Sequence, residues 1–411
     1  MRLVWQLLKI DPATPEGRRL IAFLGLTFCA GVLGGPVSSL LSVYVDSQLR
    51  QPPTFTSTLL AFQLATTGVF ALVSGAVADS LGQKRALILG LCGIPLATTV
   101  FILHSFWILA VVVVSLGVTN ALQAIGGQSY LLAASPRTKL GGFTALYFLG
   151  NTLGGAAGNA AAGPVADRWG FAVVGFAGLV LSFVLLGFTF ALLPEAPKIE
   201  SARGARPTEL LATYARLIRR RDIALVGVIR LLPTCFYGTT SLLLPLLVFR
   251  LSHSVAVASL YATASLLLST TAQQIVGRVI DHFGPLGPVR ILTALLPFVA
   301  LCTALAVESL PALIATGLCA TPILWCISTT IPPLVREVAP SESQGRALGL
   351  VHLIWSSGML IGTITGGALV IVNPRAPFVL FAACNLLTFP ASVALTQLRR
   401  TASAPVVEAT H

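Results

Sequence analysis

Charge is what this sequence has least of. Only 10% of its 411 residues are Asp, Glu, Lys or Arg, against about 25% in a soluble domain, and 55% are hydrophobic, so lipid rather than water must solvate most of the chain. Acidic groups are the scarcest, 14 against 26 Lys and Arg. All fall in polar turns or at the ends of apolar runs, which leaves no carboxylate pair for buried acid-base chemistry and disfavours a proton relay through a membrane-embedded acid. Gly-x-Ser-x-Gly, His-Glu-x-x-His and a phosphate-cradling glycine loop are all missing, so an enzyme has little support. The seven cysteines, Cys29, Cys92, Cys235, Cys302, Cys319, Cys326 and Cys384, lie inside apolar runs with no Cys-x-x-Cys and no histidine at ligand spacing. They read as small packing residues, and no disulfide, metal site or cofactor is expected.

What is present is a series of apolar runs about 20 residues long, the length that crosses a bilayer as a helix. Twelve are expected, at 21–45, 56–78, 86–103, 106–131, 141–164, 171–193, 223–248, 256–276, 290–307, 311–334, 346–371 and 377–397. With the N-terminus cytoplasmic, Arg50, Arg168, Arg250 and Arg375 fall outside and Arg230 within a span, leaving 21 of the 26 basic residues on the inner side. The positive-inside rule therefore places both termini in the cytoplasm. The formal charge of +12 is a topological signal, not a nucleic-acid footprint. Eleven of the acids are expected inside, with Asp46, Asp167 and Glu308 outside.

A short polar turn organises the chain. Gly75-Ala-Val-Ala-Asp79-Ser-Leu-Gly82-Gln-Lys84-Arg85 returns as Gly277-Arg-Val-Ile-Asp281-His-Phe-Gly284, closed by Arg290, each Gly-Asp-Gly position shifted by 202. Gly141, Gly154, Gly158 and Gly163 likewise return as Gly345, Gly358, Gly362 and Gly367, shifted by 204. Two motifs sharing nearly one offset describe a unit written twice.

This turn between apolar spans, once per half, resembles the conserved loop of the major facilitator superfamily of transporters, and the resemblance covers nearly the whole chain. It implies an all-α membrane protein of twelve transmembrane helices in two pseudo-symmetric six-helix bundles. The expected organisation is a cytoplasmic segment at 1–20, a first bundle at 21–193, a linker at 194–222, a second bundle at 223–397 and a tail at 398–411. The resemblance also implies that Asp79 faces the start of the eleventh span near Gly345-Arg346, where a helix N-terminus favours a carboxylate, and that Asp281 faces Gly141-Gly142. Two departures weaken the likeness to proton-coupled members. The usual Arg after the Asp is Ser80, with His282 in the repeat, and the Arg that leads the fourth-span motif is Asn120, in Asn120-Ala-Leu-Gln123-Ala-Ile-Gly126.

Several residues are candidates for a substrate cavity: Asn120, Gln123, Asn151, Arg230, Tyr237, His352 and Trp355. An unpaired amide in hydrocarbon costs several kcal/mol, so Asn120, Gln123 and Gln128 face either a cavity or another helix. Arg230 lies about seven residues, roughly 10 Å, inside its span, and either snorkels to the interface or contacts an anionic or polar solute. His352 is either hydrogen-bonded structure or a proton carrier, and Trp355 packs or stacks on a solute. The glycines at 150, 154 and 158, with Gly358 and Gly362, form stripes for close helix approach. Those of the fifth span, with Gly155 and Gly163-Pro164, resemble in part the glycine-proline motif of drug antiporters, with Asn159 where glycine is expected.

Residues 2–10 suit a surface helix, and 207–221 read as an amphipathic helix on the membrane tethering the two halves. The expected function is secondary transport of a small organic solute by alternating access in the bacterial inner membrane. Efflux of an amphipathic or weakly anionic drug or metabolite leads. A sugar or polar-metabolite facilitator or symporter is the alternative, as is a transport-inactive sensor on the same fold. The expected partners are the solute, the lipid bilayer and, if transport is coupled, protons; a monomer is expected, with no nucleic acid.

Overall fold

The computed structural model describes residues 14–134, 140–194, 217–339 and 344–403. Its helices are α1 Pro15–Ser47, α2 Pro53–Leu81, α3 Gln83–Leu91, α4 Gly93–Thr99, α5 Phe106–Ala134, α6 Leu140–Trp169 and α7 Phe171–Leu192. The second half follows with α8 Arg221–Ser252, α9 Val255–Phe283, α10 Leu286–Ala306, α11 Leu310–Val338, α12 Gln344–Val372, α13 Ala376–Asn385 and α14 Thr388–Ser403. No strand occurs among the described residues. Each expected span is helical, and among the described residues ten helical segments are long and apolar enough to cross a membrane. The other two expected spans, the second and fifth, are the helices α2 and α6 of 29 and 30 residues.

Two spans are broken rods, and in each a proline marks the break. The third consists of α3, α4 and a 3-10 turn at Val100–Ile102, with Pro95 two residues into α4. The twelfth consists of α13 and α14, with Pro390 in the first turn of α14. Proline has no N–H to donate to the preceding turn, but its fixed φ suits a new helix start. The expected surface helix at 2–10, most of the linker helix and the end of the tail lie outside the described residues, as do the side chains of Asp79 and Arg346.

The repeat is visible in the backbone. Gly82 between α2 and α3 has φ +91°, and Gly284 between α9 and α10 has φ +75°. Both lie in the left-handed region that a Cβ disfavours, which explains the last glycine of the Gly-Asp-Gly turn.

The glycine stripes are helix contacts in both halves. A Cβ on Gly154 would collide with the Phe28 carbonyl of α1, and one on Gly158 with that of Val32. In the second half, a Cβ on Gly362 would collide with the Cys235 carbonyl of α8, and one on Gly358 would come within 2.9 Å of Thr234 Cβ. Gly150 is looser, at 3.7 Å from the Leu24 carbonyl. Thus α6 packs backbone-to-backbone on α1 as α12 does on α8. Dispersion over such a flat seam replaces the hydrophobic drive that lipid cannot supply.

The chain divides into two compact units. One comprises Met1–Arg203 with Ser241–Thr270, the other Gly204–Thr240 with Thr271–His411. The later half of α8 and the first half of α9 therefore pack with the first six spans. In the first unit, Phe23 lies 5.0 Å from the Tyr130 ring and 5.6 Å from Tyr147, all three buried.

Candidate functional site

Inside the second unit, four helices bring polar and aromatic side chains together. Arg230 lies nine residues into α8, too far for an ordinary surface arginine, and its Nη1 donates to Ser328 Oγ of α11 at 2.7 Å. Its Nε is buried without a hydrogen-bond partner. Two turns on, at i+7 on the same face of α8, Tyr237 meets Trp325 of α11 edge-on, ring centroids 6.4 Å apart. Gln273 of α9 donates to Thr329 Oγ1 at 3.0 Å and, more weakly, to the Trp325 carbonyl at 3.4 Å. On α12, His352 and Trp355 stack with centroids 5.4 Å apart.

Of the sequence candidates, the structure thus groups Arg230, Tyr237, His352 and Trp355 in one unit. Asn120, Gln123 and Asn151 belong to the other. There Asn120 and Asn151 are exposed and Gln123 is half-buried. The Gln123 backbone abuts Gly90 of α3, and the Asn151 carbonyl abuts Gly31 of α1, so both residues stand at helix seams. Sequence reasoning did not single out Gln273, Trp325, Ser328 or Thr329. Their signal was present in the tenth span, where Trp325, Ser328 and Thr329 recur at i, i+3 and i+4, a polar-aromatic stripe in an apolar run.

The motif turns are only partly described. Lys84 reaches the Phe190 carbonyl in the last turn of α7 at 3.5 Å, a long contact placed where a cation meets a helix C-terminus. Asp281 and Arg85 are exposed, and Arg290 buries its Nε without a partner.

Electrostatically the spans are stripped of acid. Every Asp or Glu in a described helix sits in its first or last turn, namely Glu16, Asp46, Asp79, Asp167, Asp222, Asp281 and Glu337. Asp222, the acid closest to Arg230 along α8, is occupied by Arg220 at 2.8 Å and by its own helix start through Ile223 N–H.

A second polar cluster lies within the first unit. Asp167, beyond the apolar part of α6, accepts from Ser254 Oγ at 2.6 Å and from the Val255 and Ala256 N–H groups at 2.7 and 2.8 Å. It thereby caps α9. Partial burial pushes this carboxyl up, but the bonds from Ser254, Ala256 and Val255 outweigh it and hold the group below the usual carboxylate range. Arg250 grips Asp46 with two nitrogens, at 2.5 and 3.3 Å. Asn159, fully buried, donates to Ser39 Oγ at 3.0 Å and accepts at its carbonyl from Ser259. The position where a glycine was expected is thus a polar cross-link of α1, α6 and α9.

Known proteins agree with this architecture. The family description "Major Facilitator Superfamily" matches residues 23–333 and 237–410. No curated protein matches the chain. Among solved structures, the chain is similar to the nucleoside transporter NupG, at 16% identity and TM-score 0.72, covering 92% of this chain and 99% of that one. It is also similar to a peptide transporter POT in complex with sulfate, at 12% identity and TM-score 0.78, covering 96% and 98%. A third similar structure is a bacterial homolog to the human lysosomal transporter Spinster, at 12% identity and TM-score 0.71, covering 92% and 96%. At these identities the structures establish the fold. Together with the family match, they establish that this chain is a multi-pass integral membrane protein and a secondary transporter belonging to the Major Facilitator Superfamily.

Proposed function

We propose that the protein exports a small amphipathic or weakly anionic organic solute by alternating access, from a bacterial cytoplasm in which both of its termini lie. The observation that carries this reading is the cluster of Arg230, Tyr237, Trp325, His352 and Trp355. It offers one cation and several aromatic faces. An apolar body with one polar or negative end suits such a lining better than a sugar, which needs many amides and hydroxyls to replace its water shell. Asn120, Gln123 and Asn151 are proposed as solute contacts of the first bundle. The turns at Gly75, Asp79, Gly82, Lys84 and Arg85 and at Gly277, Asp281, Gly284 and Arg290 are proposed to bias the two access states.

The proposed organisation is one six-helix bundle per half, 21–193 and 223–397, joined by the linker at 194–222 and rocking about a shared middle. The protein is read as a monomeric carrier, not an enzyme. The test is flux in sealed liposomes holding the purified protein, screened with labelled organic acids, amines and sugars. Saturable flux of an amphipathic compound that Trp325→Ala or Arg230→Ala abolishes supports the reading. Saturable flux of sugars alone would replace it with the polar-metabolite facilitator, and no flux of any compound would favour a sensor.

A further inference from the structure

The arginine at the centre of this cluster has no counter-charge among the described residues, and that asymmetry defines its ligand further. Arg230 is half-buried with its Nε out of contact with solvent, and a guanidinium taken out of water is costly unless an anion meets it. All the acids of the described helices stand in terminal turns, and Asp222, the acid closest to Arg230 along α8, is already engaged by Arg220. Ser328 takes one Nη1 proton at 2.7 Å, which orients the planar group, while the Nε–H is buried and unused. A guanidinium has five donors in a flat fork, so an oxyacid group can still be gripped by two of them. The helices packed with α8 carry flat surfaces: Trp325, one turn before Ser328 on α11, meets Tyr237, and His352 stacks on Trp355 of α12, which packs on α8 at Thr234 and Cys235. The amide nitrogen of Gln273 is engaged by Thr329 and the Trp325 carbonyl, which leaves its oxygen but not its donors for a polyhydroxylated body.

Resting on the transporter reading above, we propose that this cluster binds a planar aromatic monoanion, carboxylate or sulfonate, with Arg230 as its fixed counter-charge, and that each cycle carries the negative charge across the membrane uncompensated. Arg230 stays with the protein, and among the described residues no carboxylate lies away from a helix end to bring a proton along. The net charge moved is therefore that of the solute. An inside-negative potential then expels the anion, and 100 mV acting on one charge supports an equilibrium ratio of about 50 between outside and inside. His352 is the one group of the cluster that could add a proton to the cycle, and it serves as the control.

The test uses the full chain in phosphatidylcholine nanodiscs. The probes are 1-naphthalenesulfonate and benzoate, each against its neutral amide. The anions should raise the melting temperature in a saturable way and the amides should not. Arg230→Gln should lose the shift and Arg230→Lys should keep part of it. If Arg230→Gln does not fold, Ser328→Ala, which keeps the charge but frees the guanidinium, should weaken the anion's half-saturation severalfold. In liposomes, a valinomycin potential, positive on the receiving side, should drive 1-naphthalenesulfonate toward it, and in His352→Gln, whatever its effect on the rate, the direction of net flux should still follow the potential.

Equal stabilisation by the amides would overturn the proposal, as would no stabilisation by either anion. Flux that ignores the potential but follows a pH gradient lost in His352→Gln would also overturn it, because a proton would then travel with the solute. A shift produced by phosphatidylglycerol that neither probe displaces would assign Arg230 to a lipid headgroup instead. Saturable flux of neutral solutes alone would sink this inference and leave the transporter reading standing, whereas the absence of any flux would sink both.

Discussion

Removing the Asp167 carboxylate should loosen the start of α9 and little else. The side chain accepts two backbone N–H bonds and one hydroxyl bond at the head of a 29-residue helix. Loss of an N-cap costs about 0.5–2 kcal/mol, and loss of a negative charge at a helix N-terminus about 0.3–1 kcal/mol. The two overlap, and because Asp167 is exposed the lower part of the range applies, about 1–2 kcal/mol in total. Ser254 Oγ also accepts from Val257 N–H at 3.2 Å, so the helix start keeps one cap in the variant.

A loss of about 1–2 kcal/mol is a factor of about 5–30 in a local opening equilibrium. Hydrogen exchange of the amides at 255–256, measured by mass spectrometry on Asp167→Ala in nanodiscs, should accelerate by that factor while peptides from α11 stay unchanged. The sign with pH follows from the lowered carboxyl. The protection is present above the ordinary carboxylate value and is lost as pH falls through the lower value of the folded state. The difference between wild type and variant should therefore vanish in acid. Equal exchange at neutral pH, or a difference that survives full protonation, would refute the assignment of Asp167 as the cap.

Three further outcomes follow from the packing and the motifs. Gly362→Ala forces a methyl into the Cys235 carbonyl and should cost about 1–3 kcal/mol of overpacking, read as a lower melting temperature. Gly25→Ala, where a Cβ meets nothing within 4 Å, should be neutral or slightly stabilising because alanine favours helix by about 1 kcal/mol over glycine. Asp79→Asn should slow exchange between access states in a spin-label distance measurement while leaving ligand-induced stabilisation intact; an unchanged exchange rate would remove the turn from the mechanism.

The twelve spans were legible because hydrocarbon leaves the backbone so few options: an apolar run of the right length is helical whatever surrounds it. The repeat was legible for a related reason, since Gly82 and Gly284 must both hold a positive φ and cannot drift to other residues. Glycine stripes announced a close seam, and Arg230 announced itself as a cation out of place.

The partners of these groups were not legible. The stripe of Trp325, Ser328 and Thr329 marks one face of the tenth span, but nothing in it says that this face meets α8, because the partner of a membrane helix is set by how the spans pack and not by its own sequence. Asp167 reads as one more loop acid, since its role depends on where α9 begins in space. Asn159 reads as a missing glycine, yet it cross-links three helices. The breaks at Cys92 and Leu386 escaped because prolines inside Pro36, Pro164 and Pro297 helices leave those rods continuous, so proline alone does not mark a break.

The central claim is that the second half, through α8, α11 and α12, holds the solute. Its most direct test is tryptophan fluorescence in a variant in which Trp5, Trp107 and Trp169 are replaced by Phe, leaving Trp325 and Trp355 as reporters. Titration with a compound shown to be transported should shift the emission saturably, at the concentration that half-saturates flux, and Trp325→Phe should remove most of the change. A transported compound that leaves both tryptophans silent would contradict the account.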